Sequence, residues 1–463
     1  MKSFLRATCA ALLCACLLTF SLWRYSLLPD LSGITNWLKS LKAQADELKQ
    51  ATDDLIDGIT GGQGASTPAR PVESGDAYSG YTPTEEIEED LLTVICNAYD
   101  AHKESVDLSA FELTPDELKT VVSSVRYSCP EYFYVANTYS YTSNSVTGEI
   151  HDFCPSYLVD AEAAALQTEV YGQVIAEIVA GAPADGTDFE KVLYLHDYFV
   201  RNYCYDYTYT IRDAYTFFEE GTGVCQAYML AFIATAEAMG IRSIPVTSNE
   251  MNHAWNLVEV DGVWYHMDIT WDDTGSYASF TSYAYFLQSD SGIHNYDVAR
   301  TDDPAEIHHD WIAAERADDT RYDGAVWRTS NAPIVVADGG YYCTVPAAEG
   351  AGGFLFGGSD PTDLQQLHKI EGIWRVQGSN SYYPGCYSGL ALLGDELIYN
   401  TDKTLRAYDT KTGKDRLLGI PALRQTQSLY GVCAVNVETR ELTVVVAELL
   451  NDERVSEIVF TAS

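Results

Sequence analysis

The chain has 463 residues, 46% of them hydrophobic and 21% charged, a composition that supports folded domains and excludes disorder as the main state. Lys and Arg number 28 against 67 Asp and Glu, a net charge of −39. A surface this acidic repels phosphate backbones and anionic headgroups, which argues against nucleic acid as a partner.

Ala7 to Trp23 is an uncharged run of 17 residues, preceded by Lys2 and Arg6 and followed by Arg24. Secretory signals carry an apolar stretch of about 7–15 residues and spanning helices about 17–25, so the run sits at the border. The basic flank sends the remainder of the chain outward. An uncleaved membrane anchor, a cleaved signal peptide and lipidation at Leu13-Cys14-Ala15-Cys16 are the three readings of residues 1–29. Each places residues 30–463 secreted or at the extracytoplasmic face of the cell membrane.

Ile34, Leu38, Leu41, Ala45, Leu48, Leu55 and Ile59 recur at helical spacing and predict an amphipathic helix over 30–60. Its apolar stripe suits a homo-oligomer formed through residues 31–60, or the membrane, or the domain that follows. A Gly-, Ser- and Pro-rich linker covers 61–82.

Thr82-Pro83-Thr84-Glu85 and Thr114-Pro115-Asp116-Glu117 each read as N-cap, N1 proline and N3 glutamate. They predict helices over 83–103 and 115–126. Two more are expected over 161–180 and 188–203. After about residue 320 the pattern changes to short strand-like runs: 334–337, 341–345, 390–393, 396–399, 405–408 and 442–446. The stretch 394–413 looks like part of a propeller blade, yet roughly 140 residues is short for the four blades a closed propeller needs. Closure of this β-rich domain, 320–463, is left open.

Three of the eleven cysteines, Cys9, Cys14 and Cys16, lie in the apolar run. The other eight show no Cys-x-x-Cys spacing, which argues against a structural zinc site. One of them opens a distinctive segment. Gly221-Thr222-Gly223-Val224-Cys225 leads into a run of good helix formers that stops at Gly240. Cys225 is therefore expected in the first turn of a buried helix, where the macrodipole and the backbone N–H groups favour a thiolate and an oxyanion. A lone cysteine there would read as a small apolar residue.

Cys225 has company. Asp261-Gly262 separates residues 253–260 from 263–269 and signals a two-residue hairpin. In that register Val260 faces Val263 and Trp255 faces Asp268. His253 then shares a face with Asp268 as its diagonal neighbour, within reach of a hydrogen bond. The opposite face, Ala254, Asn256, Val258, Val260, Val263, Tyr265, Met267 and Ile269, is a core face. His253 and Asp268 point away from it. Thiol, imidazole and carboxylate make the Cys–His–Asp set of nucleophilic catalysis.

These residues resemble a known family. Gly221 to Tyr228, Asn252-His253-Ala254-Trp255-Asn256 and Trp264-Tyr265-His266-Met267-Asp268-Ile269-Thr270-Trp271-Asp272-Asp273 are similar to the bacterial transglutaminase-like superfamily. The resemblance is specific over 185–290, with 188–207 similar to the lead-in helix, and general over 83–180. It implies a papain-like, transglutaminase-like core within 83–300 with a helical lead-in; the β-rich domain, 320–463, with its propeller-like stretch, lies outside the resemblance, and the whole reads as an α+β fold. The resemblance implies the nucleophile for Cys225, the proton carrier for His253 and the orienting carboxylate for Asp268, with no cofactor and no metal. Gln226 stands where many relatives have Gly, and would narrow or polarise the cleft.

Trp255, Trp271 and Gln226 are the substrate-binding candidates, with core packing favoured over a cleft role for both tryptophans. Asn256 reads as a structural amide and His196 as a structural histidine. A metal set of His253, His266 and Asp268 lacks a fourth ligand at short spacing. His308-His309 sits in a charged stretch and is expected at the surface. The leading function is an exported cysteine enzyme that acts on amide or peptide bonds of a protein or peptide, cell-wall peptide included, through an acyl-thioester. Protease or amidase is favoured over transamidase. The rivals are a non-catalytic surface module that retains the fold and an assembly protein working through residues 31–60.

Overall fold

The structure, a computed structural model, describes residues 81–463 except 274–279, 350, 376–380, 382–386, 449–455 and 463, and adds the strand Val72–Glu73. The expected anchor, the helix over 30–60, most of the linker and Cys386 lie outside the described residues. Among the described residues no helix is long and apolar enough to cross a membrane.

The helical lead-in follows its capping signals unevenly. Thr84–Glu86 is a single 3-10 turn, and helix α1 starts later, at Glu89–Asp100. The Thr82 amide donates to Ser124 Oγ at 3.0 Å, so the first capping signature serves a tertiary contact instead. Helix α2, Pro115–Ser128, carries the expected capping box between Thr114 and Glu117. Both helices pack on a sheet that the sequence did not announce. Its strands β1 (Val72–Glu73), β2 (Val106–Asp107), β3 (Val135–Ser143) and β4 (Ile150–Tyr157) run in the order β1-β3-β4-β2. Leu91, Ile95, Leu118, Val125 and Phe153 fill the space between.

Helix α3, Ala161–Ala180, and helix α4, Asp188–Asn202, match their expected spans within one residue, each with a side-chain N-cap. The similarity of 188–207 to one lead-in helix is corrected at its end. Cys204–Tyr205, strand β5, leaves the helix and pairs in parallel with Thr222–Gly223, strand β6. Helix α5, Ala214–Glu220, stops at Gly221, whose φ of 72° favours glycine.

Helix α6, Cys225–Ala238, is buried along nearly its whole length. It packs on an antiparallel sheet of β7 (Ser243–Ser248), β8 (His253–Val260), β9 (Val263–Met267) and β10 (Trp311–Ile312), in the order β10-β7-β8-β9. Asp261 and Gly262 both have positive φ, 53° and 79°, the geometry of the tight hairpin turn. The register runs from Val260 opposite Val263 to Asn256 opposite Met267. Ala254, Val258, Val260, Tyr265 and Met267 join α6 in the main core. The other face is not open: Trp255, Leu257 and Trp264 pack with Val246, Met251 and Ala317. Two short helices close this region, α7 (Ile269–Asp272) and α8 (Asp290–Val298).

The remainder is β-rich, as three antiparallel meanders. The first holds β11 (Val335–Ala337), β12 (Gly340–Pro346), β13 (Gly353–Gly358) and β14 (Gln365–Ile370). The second holds β15 (Leu390–Leu393), β16 (Glu396–Asn400), β17 (Leu405–Asp409) and β18 (Lys414–Gly419). The third holds β19 (Ser428–Asn436), β20 (Glu441–Ala447) and β21 (Ser456–Thr461). Leu355, Ile370, Trp374, Tyr399 and Tyr430 lie in a core that joins all three. No closed propeller is seen among the described residues. Residues 66–463 form one compact unit. Tyr341, Cys343 and Leu364 of the β-rich part belong to the core that holds α4 and α6, and the Tyr341 hydroxyl donates to Glu190 Oε1 at 3.2 Å.

Candidate active site

Cys225 is the first residue of α6. Val224 precedes it as an extended N-cap, with φ −84° and ψ 175°. The Val224 carbonyl accepts from the amides of Ala227 and Tyr228, at 2.9 and 3.2 Å. Those two amides are thereby spent within the helix. The approach to the thiol requires glycine: a Cβ on Gly223 would stand 2.6 Å from Phe217 Cδ2 and 2.7 Å from Ala227 Cβ. Cys225 and His253 are each 6% exposed, so the thiol is nearly shut from solvent.

His253 begins β8, and Asp268 caps the first turn of α7 just beyond β9. The hairpin brings them together: His253 Nε2 lies 2.5 Å from Asp268 Oδ2. His253 is also hydrogen-bonded to Cys225. With Nε2 committed to Asp268, Nδ1 is the ring nitrogen that remains for the thiol. Asp268 is itself tied at two backbone points, Oδ1 accepting from the Trp271 amide at 3.1 Å and its own amide donating to the Tyr285 carbonyl at 3.1 Å.

The electrostatics favour a proton on His253. Burial works against the imidazolium, but the Asp268 charge and the bonds to Asp268 and Cys225 prevail and push its pKa up to about 10. Burial likewise acts to raise Asp268, and the His253 charge with the bonds from His253 and His308 holds it well below the usual carboxylate range. The imidazole lies between two indoles: Trp255 stacks at 5.5 Å and 21°, Trp271 at 5.2 Å and 24°.

One residue overturns its sequence reading. His308, expected at the surface, is fully buried, while His309 next to it is partly exposed. His308 Nε2 reaches Asp268 Oδ2 at 3.1 Å, and Nδ1 reaches Asp297 Oδ2 at 2.7 Å. The charged stretch around it misled, because its partners are 40 and 11 residues away in the chain. Contacts at that separation leave no trace in the local spacing of residues.

His266 does not join His253. Its ring bonds to Trp255 Nε1 and Asp290 Oδ1, both at 2.9 Å, so the metal set of His253, His266 and Asp268 is not assembled. His253, Asp268 and His308 do bring ligand atoms within 4.8 Å of one another. Ligands about 2 Å from a tetrahedral zinc stand roughly 3.3 Å apart; the 2.5 Å contact is hydrogen-bond spacing.

The three substrate-binding candidates separate. Trp255 is 1% exposed, and its indole N–H is spent on His266. It supports the His253 ring instead of walling a cleft, a correction to its expected role. Trp271 is partly exposed and touches both His253 and His308. Gln226 lines a cavity of about 240 Å³ together with Tyr132, Phe133, Arg126 and Arg212. Cys225 is not among the residues lining it. Asn256 is a structural amide, donating to the Met229 carbonyl and Ser243 Oγ at 3.2 Å each. His196 is buried between Asp197 and Asp272, at 3.1 and 3.2 Å.

Residues 173–269 match the model of the transglutaminase-like superfamily. That span contains Cys225, His253 and Asp268. No curated protein matches the chain. Among solved structures, the chain is similar to the crystal structure of a TGase at 17% identity and a TM-score of 0.20, over 30% of this chain and 45% of that one. It is also similar to a protein described as a candidate cysteine protease from Cytophaga hutchinsonii, at 14% identity and a TM-score of 0.19, over 28% of this chain and 61% of that one. The chain thus spans less than two thirds of either.

Proposed function

We propose that this protein is a cysteine enzyme acting on amide or peptide bonds through an acyl-thioester. The observation that carries the reading is the hydrogen-bonded set Cys225–His253–Asp268, with the thiol on the first turn of a buried helix. The match of the segment around it to the transglutaminase-like superfamily supports it.

His253 takes the Cys225 proton and Asp268 stabilises the imidazolium. The thiolate adds to the substrate carbonyl carbon, and the amides of Cys225 and Gln226 face the developing oxyanion. His253 then delivers its proton to the leaving nitrogen, which frees the amine and leaves the acyl group on sulfur. Water or a second amine releases it. Protease or amidase is favoured over transamidase, because nothing in the sequence identifies a cleft for a lysine acceptor. The substrate is a protein or peptide, with cell-wall peptide a candidate. The work is done at the extracytoplasmic face of the membrane or in secreted form, with residues 1–29 as signal or anchor and 31–60 as an oligomerising helix. The support for this last part is the sequence of the N-terminal segment and the net charge of −39.

The test is an electrophilic probe for catalytic cysteines, applied to the full chain and read by peptide mass spectrometry. Adduct at Cys225, lost in His253→Ala, is expected. Profiling peptide libraries with and without an added amine then separates hydrolysis from transamidation. A probe that ignores Cys225 in the folded protein would leave the non-catalytic surface module as the better reading.

A further inference from the structure

We propose that His308 is a positioning residue for Cys225–His253–Asp268: it holds the Asp268 carboxylate in the orientation that keeps His253 protonated beside the thiolate. The proposal rests on the catalytic reading of Cys225. Asp268 Oδ2 is shared by two imidazoles, His253 Nε2 at 2.5 Å and His308 Nε2 at 3.1 Å. An ionised carboxylate only accepts, so both imidazoles donate to the same oxygen. His308 is itself fixed from behind. Its Nδ1 and its backbone amide both meet Asp297 Oδ2, at 2.7 and 2.9 Å. Asp297 Oδ1 accepts from the Tyr285 hydroxyl at 2.8 Å, and Arg300 stands 3.7 Å from the same oxygen. His294 Nδ1 bonds to the His308 carbonyl at 2.9 Å. The rings of Trp271 and Trp255 meet His308 edge-on, at 4.4 and 4.7 Å.

This chain of contacts matters because a carboxylate with one oxygen bonded can swing about its χ angles. Asp268 Oδ1 is pinned by the Trp271 amide. Among the described residues no backbone amide meets Oδ2, and the His308 ring, locked to α8, holds it instead. Orientation of the carboxylate is what sets how strongly the imidazolium is stabilised. The charged and titratable groups around His308 are Asp268, Asp297, His253, His266, Tyr285, His294 and Arg300.

The test needs no natural substrate. Iodoacetamide alkylation of Cys225 in the full chain is followed by mass spectrometry of its peptide from pH 4 to 10. In the wild type a thiolate–imidazolium pair reacts well below the ordinary thiol range. His308→Phe is expected to move the acidic limb up by about one pH unit, so that the rate near pH 6 falls roughly tenfold, with the melting temperature used to check folding. His308→Gln, whose amide N–H can still donate to Asp268, should recover most of the loss. Asp297→Asn should move the limb the same way by less, and serves if His308→Phe does not fold. Profiles that superimpose on the wild type in folded variants overturn the proposal. An ordinary thiol profile in the wild type overturns the catalytic reading of Cys225 itself, and this role with it.

Discussion

Trp271 stacks on His253 with ring centroids 5.2 Å apart and planes 24° from parallel. The same indole meets His308 edge-on at 4.4 Å, and its backbone amide holds Asp268 Oδ1. A single residue therefore touches His253, Asp268 and His308.

Trp271→Ala should remove the ring while sparing the backbone bond to Asp268. Aromatic pairs contribute about 0.5–1.5 kcal/mol beyond their area, and a half-buried ring adds apolar burial, so a loss of about 2 kcal/mol is expected. The rate of Cys225 alkylation at neutral pH should drop as His253 loosens, and Trp271→Phe should keep most of it. Denaturant unfolding and alkylation on the same samples check both.

Two of the buried histidines, His253 and His196, make stability depend on alkaline pH. His253 is pushed up to about 10, burial being outweighed by Asp268. His196 is pushed up to about 9, burial being outweighed by the bonds to Asp197 and Asp272. A raised folded pKa contributes stability that is full below the unfolded value, about 6.5. It is lost as pH rises from there through 9 and 10. Melting temperature measured from pH 6 to 10 should fall, and His196→Gln should flatten the slope. On the acid side Asp268, depressed by His253 and His308, contributes above about pH 4 and loses that contribution as pH drops.

Arg328 is buried and donates to the carbonyls of Tyr283, Ala284, Phe286, Leu287, Tyr322 and Asp323, at 2.8 to 3.3 Å. Burial lowers its pKa to about 10. The turn it gathers contains Tyr285, whose carbonyl receives the Asp268 amide. Each carbonyl left without a donor costs about 1–3 kcal/mol, so Arg328→Met should destabilise the chain by at least about 3 kcal/mol. Arg328→Lys cannot reproduce a planar fork and should recover little.

A chain ending at Asp318 loses Tyr322, Trp327, Tyr341, Cys343 and Leu364 from the core that holds α4 and α6. It should melt at a lower temperature or aggregate. Unchanged melting together with weakened binding to a cell surface would instead favour a targeting role for the β-rich part.

Thiol labelling needs a control that composition does not suggest. Cys204 is exposed, and a hydrogen bond from Cys129 pulls the Cys96 thiol down to about 7. At pH 7 iodoacetamide should therefore mark Cys204 and Cys96 as well as Cys225. Only the Cys225 adduct should vanish in His253→Ala, which peptide mass spectrometry resolves.

The sequence by itself determined the local elements and the local pairing. The Thr114 and Thr187 capping boxes fixed where α2 and α4 begin. Asp261-Gly262 fixed the hairpin register, and with it the shared face of His253 and Asp268, because a two-residue turn leaves the register no freedom. Cys225 at the head of α6 was legible from Gly223 and the helix formers after it. What lies on top of that hairpin was not. His308 reads as a surface residue in a charged stretch, and only the long-range packing of residues 297–308 against α7 buries it on Asp268. Trp255 has the pattern of a cleft residue until its indole N–H is seen on His266. The β3-β4 hairpin lacks a clean alternation, since Asn137, Thr138 and Ser140 interrupt it, and its strands form because α1 and α2 cover one face. Short-range geometry is encoded by neighbours in the chain. Burial and protonation are set by groups tens of residues away, so only the tertiary structure decides them.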